Sequence, residues 1–334
     1  MKPLISVIVP IYNQEKYVAE CLQSLFSQAS EKVEFILMND GSTDHSGAIC
    51  QEYMSRFSVH ARLIEQENKG LLKTREIGLS HAEGDYILFV DSDDVLLNHA
   101  LSTLIQAVEE KRPGVVMFNA TSDQASLKPL FSYPFQDGQT FSEEQKYALY
   151  KLLCCTDKLN NIWAKCVKRE LFSDPEVYRD IEGISNGEDL YQSLVLVDRA
   201  ESLLFLDRVL YYYRVSSNSM SRTYNPRHFT SEKKVCARRI EYAEKWSRDS
   251  DELVTGANIW ICKIFRDVTR KLFVSDLSWT RIKEEVVRLR ADEFYRAYYL
   301  NTHCDPNKRD LVLKSPLPVM RLWKILYGLK GRKR

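Results

Sequence analysis

This 334-residue chain lacks the sequence signs of several protein classes. Its eight cysteines include no CxxC pair and no metal-ligand spacing, so we expect reduced core thiols. No run approaches the roughly 18 uninterrupted apolar residues of a membrane-spanning helix. The start of the chain has no basic segment and no small-residue cleavage site, so we expect no signal peptide. The six histidines do not cluster with acids, which argues against a histidine-based zinc site.

Charge is unevenly distributed along a chain that is nearly neutral as a whole. Residues 1–225 hold 22 Lys and Arg against 32 Asp and Glu, whereas residues 226–334 hold 25 against 14. We therefore expect the two parts to face different partners. At 44% hydrophobic and 28% charged, the chain is an ordinary globular protein with enough apolar side chains for a substantial core.

The first 120 residues alternate between short apolar runs and segments with helical spacing. This alternation predicts an α/β fold with a doubly wound, mainly parallel sheet flanked by helices. The predicted strands are Leu4–Val9, Val33–Met38, Arg62–Ile64, Tyr86–Val90 and Val115–Phe118.

Three carboxylates follow the fourth of these runs directly, at Asp91, Asp93 and Asp94. An unbroken apolar run is typical of a strand buried on both faces. Ligands of open α/β sheets bind beyond the carboxyl ends of the strands, so these acids are well placed to hold a divalent cation. A hard cation held in this way usually carries a phosphate.

The remainder of the chain is less regular. Residues 121–225 contain polar loops, and a helix is predicted to begin at Glu188-Asp189, where acids suit the first turn. Residues 226–334 form a basic helical extension. Its tail, Lys314–Arg334, has seven basic residues and no acids, interleaved with aromatic and aliphatic side chains. This pattern suits either a solvated helix end or an amphipathic helix on an anionic membrane.

Five short motifs together resemble glycosyltransferase family 2, whose members use nucleotide sugars and have the GT-A fold. The resemblance is strong over about residues 3–120 and weaker to about 225, and the order and spacing of the motifs make it specific. The motifs are Ser6 to Asn13, Asn39 to Asp44, Asn68 to Gly70, Gly84 to Asp94, and Gly187 to Asp189.

The resemblance implies that Pro10, Tyr12 and Asn13 shape a slot for the nucleobase and ribose. It implies that the Asp40 carboxylate accepts a hydrogen bond from the uracil ring N–H. The alternative for Asp40 is a turn-forming acid before a glycine. Asn68 and Gly70 belong to a further nucleotide-binding segment.

Asp91-Ser92-Asp93 resembles the DxD motif of the family. Asp93 is then the direct ligand of Mn²⁺ or Mg²⁺, and Asp91 contacts the ribose or the metal through water. Ser92, between them, belongs to the same nucleotide-binding set, and Asp94 is a supporting acid or an acid at the N-terminus of a helix. The alternative, acids that only solvate a strand end, suits isolated acids better than three in a row.

Glu188-Asp189 resembles the acidic pair that supplies the catalytic base of the family. The base takes the proton from the acceptor hydroxyl, and we assign this role to Asp189, with Glu188 as the alternative. A helix N-terminal pair stabilised by the macrodipole is the competing interpretation.

Further residues resemble contacts to the diphosphate or the acceptor. Arg75 lies in a family segment in which Thr74 and Glu76 replace the usual residues. Arg214 ends the run Tyr211-Tyr212-Tyr213-Arg214, which together with Asn218 to Arg222 resembles a loop folding over the nucleotide, although a surface strand and turn would look the same. Trp163 and Lys165 resemble an acceptor-side element.

These residues together predict a metal-dependent, inverting glycosyltransferase that moves a hexose from a UDP-sugar to a hydroxyl of a glycan or lipid-linked oligosaccharide. We expect a GT-A catalytic domain over 1–225, with a nucleotide-binding half (1–120) and an acceptor half (121–225). We expect a cytoplasmic protein that binds the membrane surface through its tail. We expect no nucleic-acid partner, and the sequence leaves both a monomer and a homo-oligomer open.

Two other functions were compatible with this general pattern. A sugar-phosphate nucleotidyltransferase would need a glycine-rich N-terminal loop, and Leu4–Asn13 contains no glycine. A non-catalytic nucleotide- or sugar-binding scaffold would not need the intact pairs Asp91/Asp93 and Glu188-Asp189.

Overall fold

The structure is a computed structural model that describes residues 2–181, 183–184, 186–215, 224, 226–247 and 250–300. The predicted amphipathic tail Lys314–Arg334 and the loop Asn218–Arg222 lie outside the described residues. The described chain divides into two compact units. The first comprises Met1–Lys146, Asn161–Arg179 and Val195–Val215, and the second Tyr147–Asn160, Asp180–Leu194 and Ser216–Arg334. The domain boundaries expected at residues 120 and 225 stay predictions.

The first unit is built on one nine-stranded sheet. Its strands are β1 (Ile5–Ile11), β2 (Val33–Asp40), β3 (Ala61–Gln66), β4 (Tyr86–Phe89), β5 (Val95–Leu96), β6 (Val115–Thr121), β7 (Gln139–Phe141), β8 (Lys165–Lys168) and β9 (Leu203–Tyr212). The spatial order is β3-β2-β1-β4-β8-β6-β9-β5, and β7 pairs with β9.

The α/β class is confirmed, and the sheet contains two parallel parts, one of four strands and one of two. β3, β2, β1 and β4 run parallel, as do β6 and β9. β8 lies antiparallel between β4 and β6, and β5 and β7 run antiparallel to β9. The sheet is therefore mixed, because strands from the second half of the chain are added to the parallel half.

Helices cover both faces of the parallel strands, which explains why these strands are apolar without alternation. Four helices lie entirely in the first unit, namely α1 (Val18–Phe26), α2 (Ser46–Arg56), α3 (Leu71–Ser80) and α4 (Ala100–Lys111). One face of β1 packs with the apolar stripes of α1 and α4 in a single core cluster. α3 packs against β1 and β2.

The second unit is helical. Its elements include α5 (Tyr147–Cys155), the beginning of α6 (Glu188–Arg199), α7 (Pro226–Trp246), α8 (Glu252–Val274), α9 (Trp279–Ala291) and the short α10 (Glu293–Tyr295). α5, α7 and α8 pack against one another, and Tyr150 stacks on Trp246 with ring centroids 3.9 Å apart. The α6 start at Glu188 and the helical extension after Pro226 confirm the sequence predictions.

Two general expectations have an outcome in the described chain. Among the helices that the structure describes, none is both long and apolar enough to cross a bilayer. Cys21, Cys50, Cys154, Cys155, Cys166 and Cys236 are free cysteines, as expected. Cys262, however, is disulfide-bonded, so the expectation of reduced thiols is wrong for that residue. Spacing in the sequence does not reveal which sulfur atoms lie close in space.

Candidate active site at the carboxyl edge of the sheet

The residues that the sequence predicts to bind the nucleotide sugar lie at one edge of the sheet in the first unit. β1 and β2 are in parallel register with Ile11 opposite Asn39, and β4 pairs with β1 so that Phe89 lies opposite Ile8. The carboxyl ends of these three neighbouring strands therefore lie side by side. The segments that leave them carry Tyr12 and Asn13, Asp40, and the Asp91–Asp94 turn.

The segment after β1 is joined to the segment after β2 by hydrogen bonds. The Asn13 backbone N–H donates to the Ser42 hydroxyl (3.1 Å), and the Thr43 N–H donates to the Asn13 side-chain oxygen (2.8 Å). Asn13 adopts a positive φ of 52°, which asparagine tolerates better than most residues. Pro10 is buried in β1, whereas the Tyr12 side chain is 48% exposed. Tyr12 is thus presented to solvent at the ligand edge.

Asp40 lies at the end of β2 and is almost fully buried. Its Oδ1 accepts hydrogen bonds from the Gln66 amide (2.7 Å) and the Lys69 N–H (2.8 Å), and its Oδ2 accepts from the Gly70 N–H (2.9 Å). The carboxylate therefore fixes the segment that contains Asn68 and Gly70. A carboxylate offers about four acceptor positions, so one remains for a ligand N–H.

Arg75 is directed at the acidic turn. Its guanidinium, 2% exposed, donates to the Asp91 Oδ1 at 2.9 Å and lies over the Phe89 ring. Arg75 therefore contacts the site through Asp91.

The Asp91–Asp94 turn crowds three carboxylates at the end of β4. Burial, and then the neighbouring Asp91 carboxylate, raise the pKa of Asp93. Burial, and then Asp91 and Asp93, raise the pKa of Asp94 to about 8. Asp94 is buried, while Asp91 and Asp93 are partly exposed and Ser92 is buried between them. Two residues of the turn, Asp91 and Asp93, are therefore accessible to solvent.

The acidic turn fits a divalent cation that is shared with a bound phosphate. Among the described residues, no group of three or more His, Cys, Asp or Glu side chains could hold a metal by itself. Mg²⁺ in nucleotide sites, however, usually takes one or two carboxylates and completes its shell with phosphate oxygens and water. Asp91 and Asp93 supply hard oxygen donors of this kind. Burial and the negative charge of Asp91 raise the pKa of Asp93, and a bound cation would offset both effects.

The predicted acceptor-side residues are buried. Trp163 stacks on Tyr211 and Tyr213, with ring centroids 4.7 Å and 5.5 Å away. Lys165 is 2% exposed at the start of β8, and its Nζ donates to the Asn161 carbonyl at 2.5 Å. Their predicted contact with an acceptor stays a prediction.

Glu188 and Asp189 are the first two residues of α6 and lie in the second unit. Both are partly exposed. Gly187 precedes them with φ of 84° and packs against Val235 of α7. The preceding Asn186 donates a hydrogen bond to Glu232 of α7. α7 therefore anchors the segment that presents the two acids.

Sequence reasoning missed two groups that hold these segments. Tyr211 contacts the acidic turn from β9, and Glu232 contacts Asn186 from α7. The sequence offered a covering loop or a surface strand for the run that begins at Tyr211, and neither interpretation placed its hydroxyl on the acidic turn. For Glu232 the only sequence signal was an acid in a basic helix.

Comparison with known proteins agrees with this geometry. The model of the family described as "Glycosyl transferase family 2" matches residues 6–160. The curated glycosyltransferase GlyG of Streptococcus pneumoniae is 33% identical over 285 residues, which cover 79% of this chain and 85% of GlyG. The chain belongs to glycosyl transferase family 2. It is therefore a glycosyltransferase, which decides against the nucleotidyltransferase and scaffold alternatives.

Two further proteins align over different shares of their length. Glycosyltransferase GlyA of S. pneumoniae is 32% identical over 225 residues, 66% of this chain but only 32% of GlyA. The crystal structure of Staphylococcus aureus TarS residues 1–349 with UDP-GlcNAc has a TM-score of 0.62 at 19% identity. The alignment covers 98% of this chain and 88% of that 1–349 chain.

A more distant structure has the same fold. The mannosyltransferase PcManGT from Pyrobaculum calidifontis, in complex with GDP-Man and Mn²⁺, has a TM-score of 0.52 at 15% identity. The alignment covers 97% of this chain and 88% of PcManGT. At these identities the two structures establish the GT-A fold of the family.

Proposed function

We propose that this family 2 enzyme transfers a hexose from a UDP-sugar to a hydroxyl of a glycan or lipid-linked oligosaccharide, with inversion at the anomeric carbon. We place the reaction in bacterial surface-polysaccharide synthesis. The observation that carries the proposal is that Asp40 and the Asp91–Asp94 turn lie at the carboxyl ends of two parallel strands, β2 and β4, on either side of β1. This is the position at which open α/β sheets bind nucleotides.

The donor side of the proposal rests on Asp40 and Tyr12. Asp40 keeps one acceptor position for the uracil ring N–H, and it is buried, so that hydrogen bond would form away from bulk water. Tyr12 offers an exposed ring beside it for the base and ribose. A TarS structure is described as a complex with UDP-GlcNAc, and this likeness supports a UDP-sugar donor.

Asp93, with Asp91, would hold Mn²⁺ or Mg²⁺ between the turn and the diphosphate. When bound, the metal neutralises the charge that develops on the departing diphosphate. The Mn²⁺ in PcManGT supports a metal of this kind. Arg75 donates to the Asp91 carboxylate at 2.9 Å, and this charge-assisted hydrogen bond orients the carboxylate.

Asp189 would act as the general base, with Glu188 as the alternative. In the transfer, the acceptor oxygen forms a bond to the anomeric carbon as the bond from that carbon to the UDP oxygen breaks. The acceptor proton passes to the Asp189 carboxylate, and UDP leaves with the electron pair. Attack opposite to the leaving group inverts the configuration.

The partners of the proposal are a nucleotide-sugar donor, a glycan or lipid-linked acceptor and an anionic membrane surface, with the enzyme on the cytoplasmic side. The membrane contact is assigned to Lys314–Arg334, where each basic residue would contribute about 1 kcal/mol near anionic lipid. Deleting this tail should abolish co-sedimentation with anionic liposomes. Unchanged co-sedimentation would remove the membrane from the proposal.

A donor screen tests the reaction. Purified enzyme with Mn²⁺ should release UDP from one UDP-hexose faster when a glycan acceptor is added, and NMR should give the inverted anomer. Asp189→Asn should lower transfer by about 10²–10⁴-fold while UDP binding stays intact. A retained anomer, or an Asp189→Asn variant with normal transfer, would contradict the assigned mechanism.

A further inference from the structure

Tyr211 on β9 contacts the acidic turn at two points. Its hydroxyl donates to the Asp94 Oδ2 at 2.8 Å and accepts from the Asp91 backbone N–H at 3.1 Å. One phenolic oxygen therefore joins the first and last residues of the turn. The turn itself is closed by the Asp94 N–H, which donates to the Asp91 carbonyl at 3.0 Å.

Arg214, just after β9, adds three contacts. Its backbone N–H donates to the Asp94 Oδ1 at 2.8 Å, and its Nε donates to the Asp93 carbonyl at 2.7 Å. Its terminal nitrogen pairs with Glu20 of α1 at 2.6 Å. The guanidinium also lies over the rings of Tyr17 and Tyr212. Both oxygens of the Asp94 carboxylate thus accept hydrogen bonds, one from the Tyr211 hydroxyl and one from the Arg214 backbone N–H.

Tyr211 is itself held in a fixed position. It has no exposed surface, and its ring stacks on Trp163. Its neighbours in the sheet are Leu96 of β5 and Ala120 of β6. A side chain with this surrounding cannot change its rotamer without repacking the sheet. Its hydroxyl is consequently a rigid reference point for the turn.

Three carboxylates in four residues repel one another and oppose a compact turn. The bonds from Tyr211 and Arg214 turn Asp94 inward, which leaves Asp91 and Asp93 on the ligand side. Cation sites require carboxylate positions to be held within about 0.5 Å, and side chains that only orient the ligands are needed for this.

We propose that Tyr211 is a positioning residue that sets the Asp91–Asp94 turn for the metal and diphosphate, with Arg214 as its second support. The inference rests on the proposed function of this turn. It assigns Trp163 an indirect role as well, because the indole holds the Tyr211 ring. Tyr211 does not touch the substrate in this account.

Tyr211→Phe tests the inference because it removes the hydroxyl and keeps the stacked ring. Tyr86→Phe is the matched control: Tyr86 is buried on β4 of the same sheet, and its hydroxyl donates to the Pro113 carbonyl at 2.9 Å. Mn²⁺ affinity is measured in the presence of UDP by the electron paramagnetic resonance of free Mn²⁺. Thermal unfolding of both variants reports the structural cost.

Tyr211→Phe should weaken Mn²⁺ binding about tenfold, whereas Tyr86→Phe should leave it unchanged at a similar loss of melting temperature. Equal Mn²⁺ affinity in the wild type and Tyr211→Phe would overturn the inference and leave the proposed function standing. A wild-type enzyme that binds no Mn²⁺ with UDP would overturn both.

Arg214→Lys provides a second variant in case Tyr211→Phe does not fold. It keeps a positive charge near Glu20 and the backbone bond to Asp94, but it loses the Nε donor to the Asp93 carbonyl. Mn²⁺ affinity should again fall several-fold, by roughly the amount expected for an orienting contact. Unchanged affinity in this variant would contradict the positioning role of β9.

Discussion

At the scale of single residues, the acid Glu232 on α7 has a pKa well above the ordinary value of a glutamate. Burial raises its pKa from the ordinary 4.5 to about 7, although Lys271, Arg239 and the Asn186 amide act in the opposite direction. Asp267 adds a smaller upward effect, and the nearby Cys236 thiol is buried. The charged form of Glu232 is therefore disfavoured in the folded state.

This shift makes folding stability depend on pH. Because the folded-state pKa lies above the unfolded one, the folded chain holds the proton between about pH 4.5 and pH 7. The free energy of unfolding therefore falls as the pH rises through this interval, and the full cost is present above pH 7. Stability is regained on acidification.

Glu232→Gln should remove this dependence, since glutamine can still accept the Asn186 hydrogen bond without carrying a charge. Relative to the wild type, the free energy of unfolding should increase by about 1–3 kcal/mol more at pH 8 than at pH 5. Urea unfolding at the two pH values measures this difference. Glu244→Gln, at an exposed position of the same helix, serves as the control. An equal effect of Glu232→Gln at both pH values would contradict the assignment.

At the scale of elements, the start of α6 depends on its close approach to α7. Gly187 has a φ of 84°, and a Cβ built on it would lie 2.9 Å from Val235 Cγ2. Gly183, in the same loop, has a φ of 75° with nothing within 4 Å of such a Cβ. The two glycines therefore separate backbone strain from steric contact.

Gly187→Ala should destabilise the protein by about 1–2 kcal/mol more than Gly183→Ala, because only the first adds a clash to the positive φ. The free energy of unfolding in urea measures both. If UDP binding is normal and transfer falls only in Gly187→Ala, the helix start presents the base as proposed. Equal stability of the two variants would show that α6 can move away from α7 without cost.

The elements that the sequence predicts well are those with local signals. β1, β2 and β4 are apolar runs, and β3 has a shorter apolar centre, so all four strands were placed within a few residues. The acids at Glu188 marked the start of α6. The short β8 has no such signal. It becomes a strand only by pairing with β4 and β6, which are distant in the chain.

The same limit applies to the surroundings of two predicted site residues. Lys165 has the charge expected of a ligand contact, but its place in β8 buries it. Arg214 has the same charge, and its bonds with Glu20 and the Asp93 carbonyl depend on the return of β9 to the sheet. Asp40 and Asp93 were easier to place, because the carboxyl ends of parallel strands always meet at one edge.

At the scale of the whole molecule, the chain combines two units of different character. The first contains the mixed sheet with the predicted donor residues, and the second is helical and contains Glu188 and Asp189. Residues 226–334 carry the excess of basic side chains. The proposed function assigns donor binding to the first unit and the catalytic base to the second.

The most direct test of the central claim is a thermal-shift panel with UDP, GDP, CDP and ADP, each with and without Mn²⁺. A ligand that binds only the folded state stabilises it by about 2.7 kcal/mol at one hundred times its dissociation constant. We expect UDP to raise the melting temperature of the wild type only when Mn²⁺ is present, and to have no effect on Asp93→Ala. Stabilisation by another nucleotide without metal, or by none of the four, would contradict the assignment of Asp40 and Asp93.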